Sequence, residues 1–115
     1  MSTLIKLTKK RGENRYWWVK MKNITKFQDI FGDSVRVKIL EFYLEADKVS
    51  FPVEAAIEDK EIGKSQAYEI IKDFLDKKLL IKDIVYNRKQ FYKLNPRNSI
   101  IKSIRSAFKR ILISS

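Results

Sequence analysis

The chain has no cysteine and no histidine. The first absence excludes disulfides and thiolate metal sites, and argues against a secreted, disulfide-stapled scaffold. The second removes the commonest general base and the commonest nitrogen ligand for a metal. Only three glycines and two prolines occur in 115 residues, and no glycine-rich phosphate loop is among them. With neither nucleophile–base pair nor metal set in view, an enzyme is not expected and no cofactor is called for. The carboxylates Glu54, Glu58, Asp59 and Glu61 cluster, but beside a helix–helix turn they are more simply solvated. No apolar run approaches the ~20 residues that a membrane-spanning helix needs. The opening Met1, Ser2, Thr3, Leu4, Ile5 and Lys6 hold no apolar stretch of signal-peptide length, so the expected location is intracellular and cytoplasmic.

What is present is a globular composition, 44% hydrophobic and 12% aromatic, which places the chain outside the disordered class. The length suits one domain with a real core. The net charge of +11 favours a polyanionic partner, and its distribution says more than its sum. Residues 1–28 carry eight Lys/Arg and one acid; residues 29–83 carry nine bases against thirteen acids; residues 84–115 carry eight bases and no acid. Both ends are basic and the middle is mildly acidic, so a phosphate backbone should meet the ends rather than the centre.

Along the chain, runs at 4–8 and 16–21 flank Lys10, Arg11, Gly12, Glu13 and Asn14, the pattern of a β-hairpin with a glycine- and asparagine-containing turn. Trp17, Val19 and Met21 share one strand face and Tyr16, Trp18 and Lys20 the other. Packing is the favoured role of these aromatics, and base stacking by Trp18 or Tyr16 is the alternative. Ile24, Phe27, Gln28 and Phe31 predict a short helix that ends at Gly32, with Asp33 or Ser34 capping the next. That next helix, 35–45, carries Val35, Ile39, Leu40, Tyr43 and Leu44 inward, and Arg36, Lys38, Glu41 and Glu45 outward. Ser50 is the expected cap of a second helix, with Pro52 in its first turn and Val53, Ala56 and Ile57 inward. The connector before it, 47–51, can hold a one-bridge strand. Glu61, Ile62 and Gly63 make a turn, Ile62 plugging the core. A third helix, 64–77, follows on Ala67, Ile71 and Phe74. Runs at 80–85 and 91–94 then flank the polar turn Tyr86, Asn87, Arg88, Lys89 and Gln90, a second hairpin. Asn95 and Pro96 close it. The last helix, about Ser99–Ile113, has Ile100, Ile101, Ile104, Phe108, Ile111 and Leu112 on one stripe and Lys102, Arg105, Lys109 and Arg110 around it.

This order of three helices and a hairpin resembles the winged helix-turn-helix regulators of archaea and bacteria, in the broad group near the ArsR and MarR families. The opening Phe31 to Leu40 segment is similar to that group's "G-x-x-x-R-x-x-I-L" helix. Gly63, Lys64, Ser65, Gln66, Ala67 and Tyr68, with Ile71, Lys72, Asp73 and Phe74, resemble its recognition helix. Lys77, Lys78, Leu79, Leu80 and Ile81 resemble the "G-L-I" passage into the wing, and 91–96 the strand that leaves it. The resemblance covers about residues 31–113. It implies an α+β fold in three parts: an N-terminal β-hairpin and short helix (1–30), a winged helix-turn-helix of three helices and a β-hairpin wing (31–95), and a C-terminal amphipathic helix (96–115).

The function so implied is sequence-specific binding of double-stranded DNA, as a transcriptional regulator. The third helix would enter the major groove with Ser65, Gln66, Glu69 and Lys72 toward the bases. Gln66 can pair with adenine and Glu69 with cytosine N4. Lys64 and Tyr68 would contact phosphate, Tyr68 being equally readable as half-buried. Asn87, Arg88 and Lys89 form the wing tip, suited to phosphate or the minor groove. Two positions depart from the pattern. Glu69 stands where relatives place a base, and Lys78 where they place glycine, which requires a left-handed lysine or a different helix end. Against the base-reading role, Gln66, Glu69 and Lys72 also fit a merely solvated face.

The C-terminal helix must bury its stripe. Dimerisation through Ile100, Ile101, Ile104, Phe108, Ile111 and Leu112 is the leading expectation, since a two-fold dimer matches a palindromic site. Packing on its own domain comes next, and lying on an anionic membrane last. The competing function is a protein–protein adaptor without specific DNA binding, the acidic central helices being its contact surface. No pocket for an effector is visible, and metal sensing lacks its Cys and His ligands.

Overall fold

A computed structural model describes residues 6–9 and 16–19 as backbone strands and residues 25–113 with their side chains. Strands β1 (Lys6–Lys9) and β2 (Tyr16–Val19) pair antiparallel, Leu7 opposite Trp18 and Thr8 opposite Trp17, as the N-terminal hairpin pattern predicts. The turn expected at 10–14, the facing of Tyr16, Trp17, Trp18 and Met21, and the inward role of Ile24 lie outside the described residues.

Helix α1 (Lys26–Phe31) starts where the Thr25 hydroxyl accepts from the Gln28 amide at 3.0 Å, and stops at Gly32, whose φ of 95° suits glycine. Phe27 and Gln28 are buried. Phe31, expected inward, is about half exposed, although its ring rests against Phe27 with centroids 4.8 Å apart. Ser34 then caps α2 (Val35–Ala46), accepting from the Val37 amide at 3.2 Å. Ile39, Phe42, Tyr43 and Leu44 face the core. Glu41, read as part of the outward charged face, is only 2% exposed. The cause is α1: Gln28 lies across that face and its amide donates to Glu41 at 2.6 Å, while the Lys60 ammonium sits 3.6 Å away.

The chain reverses at Asp47 (φ 58°) and extends into β3 (Phe51–Pro52) before α3 (Val53–Lys60). Ser50 is therefore not the cap. Phe51 and Pro52 are held in the sheet opposite Tyr92 and Phe91, so extended backbone persists to Pro52, which takes the cap position without a side-chain bond. The Tyr43 hydroxyl donates to the Phe51 carbonyl at 3.0 Å and ties α2 to this strand. A left-handed Glu61 (φ 54°) ends α3 and lets Ile62 drop into the core.

Helix α4 (Lys64–Asp76) buries Ala67, Ile71 and Phe74. It ends in paired bonds, Leu79 amide to Phe74 carbonyl (2.8 Å) and Lys78 amide to Leu75 carbonyl (3.0 Å), with Lys78 left-handed at φ 61°. This is the terminator that usually takes glycine. Strands β4 (Leu80–Tyr86) and β5 (Lys89–Leu94) follow, and the sheet order is β3-β5-β4, all antiparallel. The expected five-residue turn is shorter. Tyr86 and Lys89 still pair, leaving Asn87 (φ 51°) and Arg88 (φ 63°) as a two-residue turn. Two successive positive φ values match the right-handed twist of the flanking strands. A bulge interrupts the register between Lys82 and Val85.

Asn95 and Asn98 both donate to the Lys78 carbonyl, at 2.8 and 3.1 Å, and Asn98 also accepts from the first amides of α5 (Ser99–Ile113). Helix α5 packs on its own chain. Ile101 and Phe108 are core residues, Ile104 and Ile111 border the core, and Phe108 meets Phe27 edge-on at 5.4 Å. Arg105 pairs with Asp47. Of the stripe assigned to dimerisation, Ile100 and Leu112 remain largely exposed. One hydrophobic cluster thus runs from Phe27 in α1 to Phe108 in α5, so the α+β architecture closes around a single core.

Candidate nucleic-acid interface

With Ala67, Ile71 and Phe74 turned inward, the helical repeat turns Lys64, Ser65, Gln66, Tyr68, Glu69 and Lys72 outward, and all six are exposed. Gln66 bends back over the helix start, its Oε1 lying 3.5 Å from where a β-carbon on Gly63 would sit. Gly63 provides no side-chain cap, so the first amides of α4 are not closed off by a neighbouring hydroxyl or carboxylate. The turn residues Asn87 and Arg88, and Lys89 at the start of β5, are exposed at the tip of the β4–β5 hairpin.

A residue that the sequence reading left among solvated carboxylates joins these two regions. Glu54 stands in the first turn of α3, two positions after Pro52, which pairs with Phe91 of β5. The Tyr68 hydroxyl donates to its Oε2. That hydrogen bond holds the Glu54 carboxyl below its ordinary range against the upward push of burial, and the charges of Lys89 and Lys64 lower it further. The same bond, helped by burial and by the carboxylate charge, pushes Tyr68 up to about 12. Burial, then Glu54, also raises Tyr92. Cations from the start of α4 and from the hairpin therefore act on one carboxylate. Glu54 carried no sequence signal because its role depends on β3 pairing with β5, a contact between residues about 40 apart.

Farther along α4, Arg36 of α2 and Lys77 are engaged within the chain. Asp73 accepts from Lys77 at 2.8 Å and from Arg36 at 2.5 Å, and both hold its carboxyl low, Lys77 foremost. The Arg36 guanidinium also lies 5.5 Å from the Phe74 ring centroid. The charges around Asp73 are thus balanced within the chain, and the exposed face from Lys64 to Lys72 is the part open to a ligand.

The hairpin adds a second feature that the sequence reading missed. Ile84, Val85 and Tyr86 are all more than half exposed, Tyr86 meeting Phe91 edge-on at 6.4 Å. Beyond the bulge neither β4 face is covered, although alternation predicts one buried face. Between α1, α2 and α5 a cleft of about 180 Å³ is lined by Phe27, Phe31, Val37, Leu40, Ile104 and Ala107, and no charged group converges on it. Among the described residues no group of acidic side chains is placed to hold a metal ion, and no helix is long and apolar enough to cross a membrane. No protein-family model, curated protein or solved structure matches this chain.

Proposed function

We propose that this protein is a winged helix-turn-helix DNA-binding regulator, with α4 as its recognition helix and the β4–β5 hairpin as its wing. The observation that supports this reading is the hydrogen bond from Tyr68 of α4 to Glu54, which follows a strand paired with β5 and so links the exposed start of α4 to the sheet that carries the hairpin. The major groove, about 12 Å wide, admits a helix. The exposed N-terminal turns of α4 then bring Ser65, Gln66, Glu69 and Lys72 to base edges, while Lys64, Arg88 and Lys89 meet phosphates or the minor groove. On this reading phosphate contacts supply most of the affinity. If ~6 phosphates are neutralised, log K falls with log salt at a slope near −5.

Fluorescence anisotropy with a short random-sequence duplex, across a salt series, tests it. The Arg88→Ala/Lys89→Ala protein should bind more weakly, with a slope shallower by about 2. Absence of binding at low salt would refute the reading. The regulator is taken to act as a homodimer through the part of α5 that its own domain leaves uncovered, around Ile100, which is 58% exposed. A protein–protein adaptor is the second reading, favoured by the exposed Ile84, Val85 and Tyr86 on the outer strand of the sheet. Salt-insensitive partner binding without DNA affinity would select it.

A further inference from the structure

The surface assigned to DNA is basic at both of its edges, yet an acid lies between them. Glu54 is fixed there by backbone structure: it follows β3, which is bonded to β5, and it lies in the first turn of α3, which packs on α4. Its carboxylate accepts the one hydrogen that the Tyr68 hydroxyl has to donate. While that bond stands, Tyr68 has no proton to give a phosphate.

We propose that Glu54 is an internal competitor for the DNA phosphate, holding the Tyr68 hydroxyl in the free protein and setting a fixed negative charge on the surface that carries Lys64 and Lys89. This inference rests on the DNA-binding reading. Its physical basis is like-charge exclusion. A phosphate set against Lys64, Lys89 and the Tyr68 hydroxyl would share its cations with a carboxylate, and two anions at one cationic site repel. Nonspecific phosphate affinity is thereby held down, leaving a larger share of binding to base contacts by Ser65, Gln66 and Glu69. Glu54 acts as a positioning and specificity residue, with no base contact of its own.

The two parts of this effect separate by substitution. Glu54→Gln removes the charge and keeps an acceptor for Tyr68. Glu54→Ala removes both and releases the hydroxyl. Binding to a random-sequence duplex should tighten about three- to tenfold in Glu54→Gln, the scale of one unfavourable charge pair in a wet interface. Its salt slope should steepen by about 1 for each cation set free. Glu54→Ala should bind tighter still, and adding Tyr68→Phe to Glu54→Ala should abolish that additional gain. A merely structural Glu54–Tyr68 tie would lower the thermal midpoint and leave the salt slope unchanged, so both are recorded for every variant. Equal affinity and slope in wild type and Glu54→Gln, with both binding DNA, would overturn this inference alone. Weaker binding in Glu54→Gln would also overturn it. No binding by any variant would overturn it together with the DNA reading.

Discussion

Among the described residues, Asp47, Glu61, Lys78, Asn87 and Arg88 all hold positive φ without being glycine. Left-handed backbone costs a β-carbon-bearing residue roughly 1–2 kcal/mol, least for Asn and Asp, whose short polar side chains bond locally. Lys78 has no such relief, and its carbonyl, which accepts from Asn95 and Asn98, would be unchanged by losing the side chain. Lys78→Gly should therefore stabilise the protein by about 1 kcal/mol, raising the thermal midpoint by about 4 °C in a calorimetric scan. A second prediction concerns the buried carboxylate of α2. Lys60 faces Glu41 at 3.6 Å and bonds Glu45 at 3.0 Å, with its own side chain only 11% exposed. Burial alone would lower the Lys60 pKa, but the hydrogen bond and charge of Glu45, with Glu41 and Asp59, raise it overall. Lys60→Met should cost about 2 kcal/mol in urea unfolding, below the usual range for a broken buried pair because Gln28 still bonds Glu41. Adding Glu41→Gln, which removes the charge and keeps an acceptor for Gln28, should recover most of that loss. If the double substitution is no better than the single one, the pair is not the source of the cost.

At the level of elements, α5 decides between two uses of one apolar stripe. Ile101 and Phe108 lie in the core and Phe108 is stacked edge-on against Phe27, so Phe108→Ala should cost about 3–4 kcal/mol in chemical denaturation. Ile100→Ala should cost under about 0.5 kcal/mol, as an exposed helix position does. Ile100→Glu should leave the fold intact and, on the homodimer proposal, shift sedimentation equilibrium toward monomer. An unchanged mass would remove Ile100 from any interface. The extents of α4 and α5 were legible in the sequence because Ala67, Ile71 and Phe74, and Ile101, Ile104 and Phe108, fix a helical period by themselves. What covers those stripes was not legible. An amphipathic pattern demands burial without naming the partner, and so α5 reads as a dimer element although α1 and α2 cover its centre. Glu41 and Ser50 fail for a related reason: a carboxylate on a helix face looks solvated until Gln28 crosses it, and a serine two residues before a proline looks like a cap until β5 claims Phe51 and Pro52. The α4 residues Lys64, Ser65, Gln66, Glu69 and Lys72 came from the resemblance to winged helices, and the inward turn of Ala67, Ile71 and Phe74 leaves them exposed. Glu54 needed the sheet.

For the molecule as a whole, the titrating groups set two limits on stability. Tyr43 and Tyr92 are raised by burial above the ordinary 10.0, and Lys60 is raised above 10.5. Each favours its protonated form in the fold, so its contribution is complete below those ordinary values and lost as pH rises through the folded ones. Glu54 and Asp73 are held low, by Tyr68 and by Lys77 with Arg36 respectively, so theirs is present above the ordinary 4.5 and 3.8 and lost as pH falls through the folded values. Glu45, raised chiefly by burial, partly offsets the acid loss. Thermal midpoints should thus form a plateau between about pH 5 and 9 and fall on both sides, with a shallower alkaline limb in Lys60→Met. An alkaline limb unaltered by that substitution would leave the tyrosines as its cause. The charge of the whole chain, +11 and concentrated toward its ends, also gives a rival account of any DNA affinity, in which the basic termini bind and α4 does not. The measurement that separates the two most directly is amide chemical-shift mapping by NMR with a short duplex. Perturbations clustered at 64–72 and 87–89 are expected if α4 and the hairpin form the DNA surface. Perturbations confined to residues before 25 and to α5, with 64–72 unmoved, would contradict it.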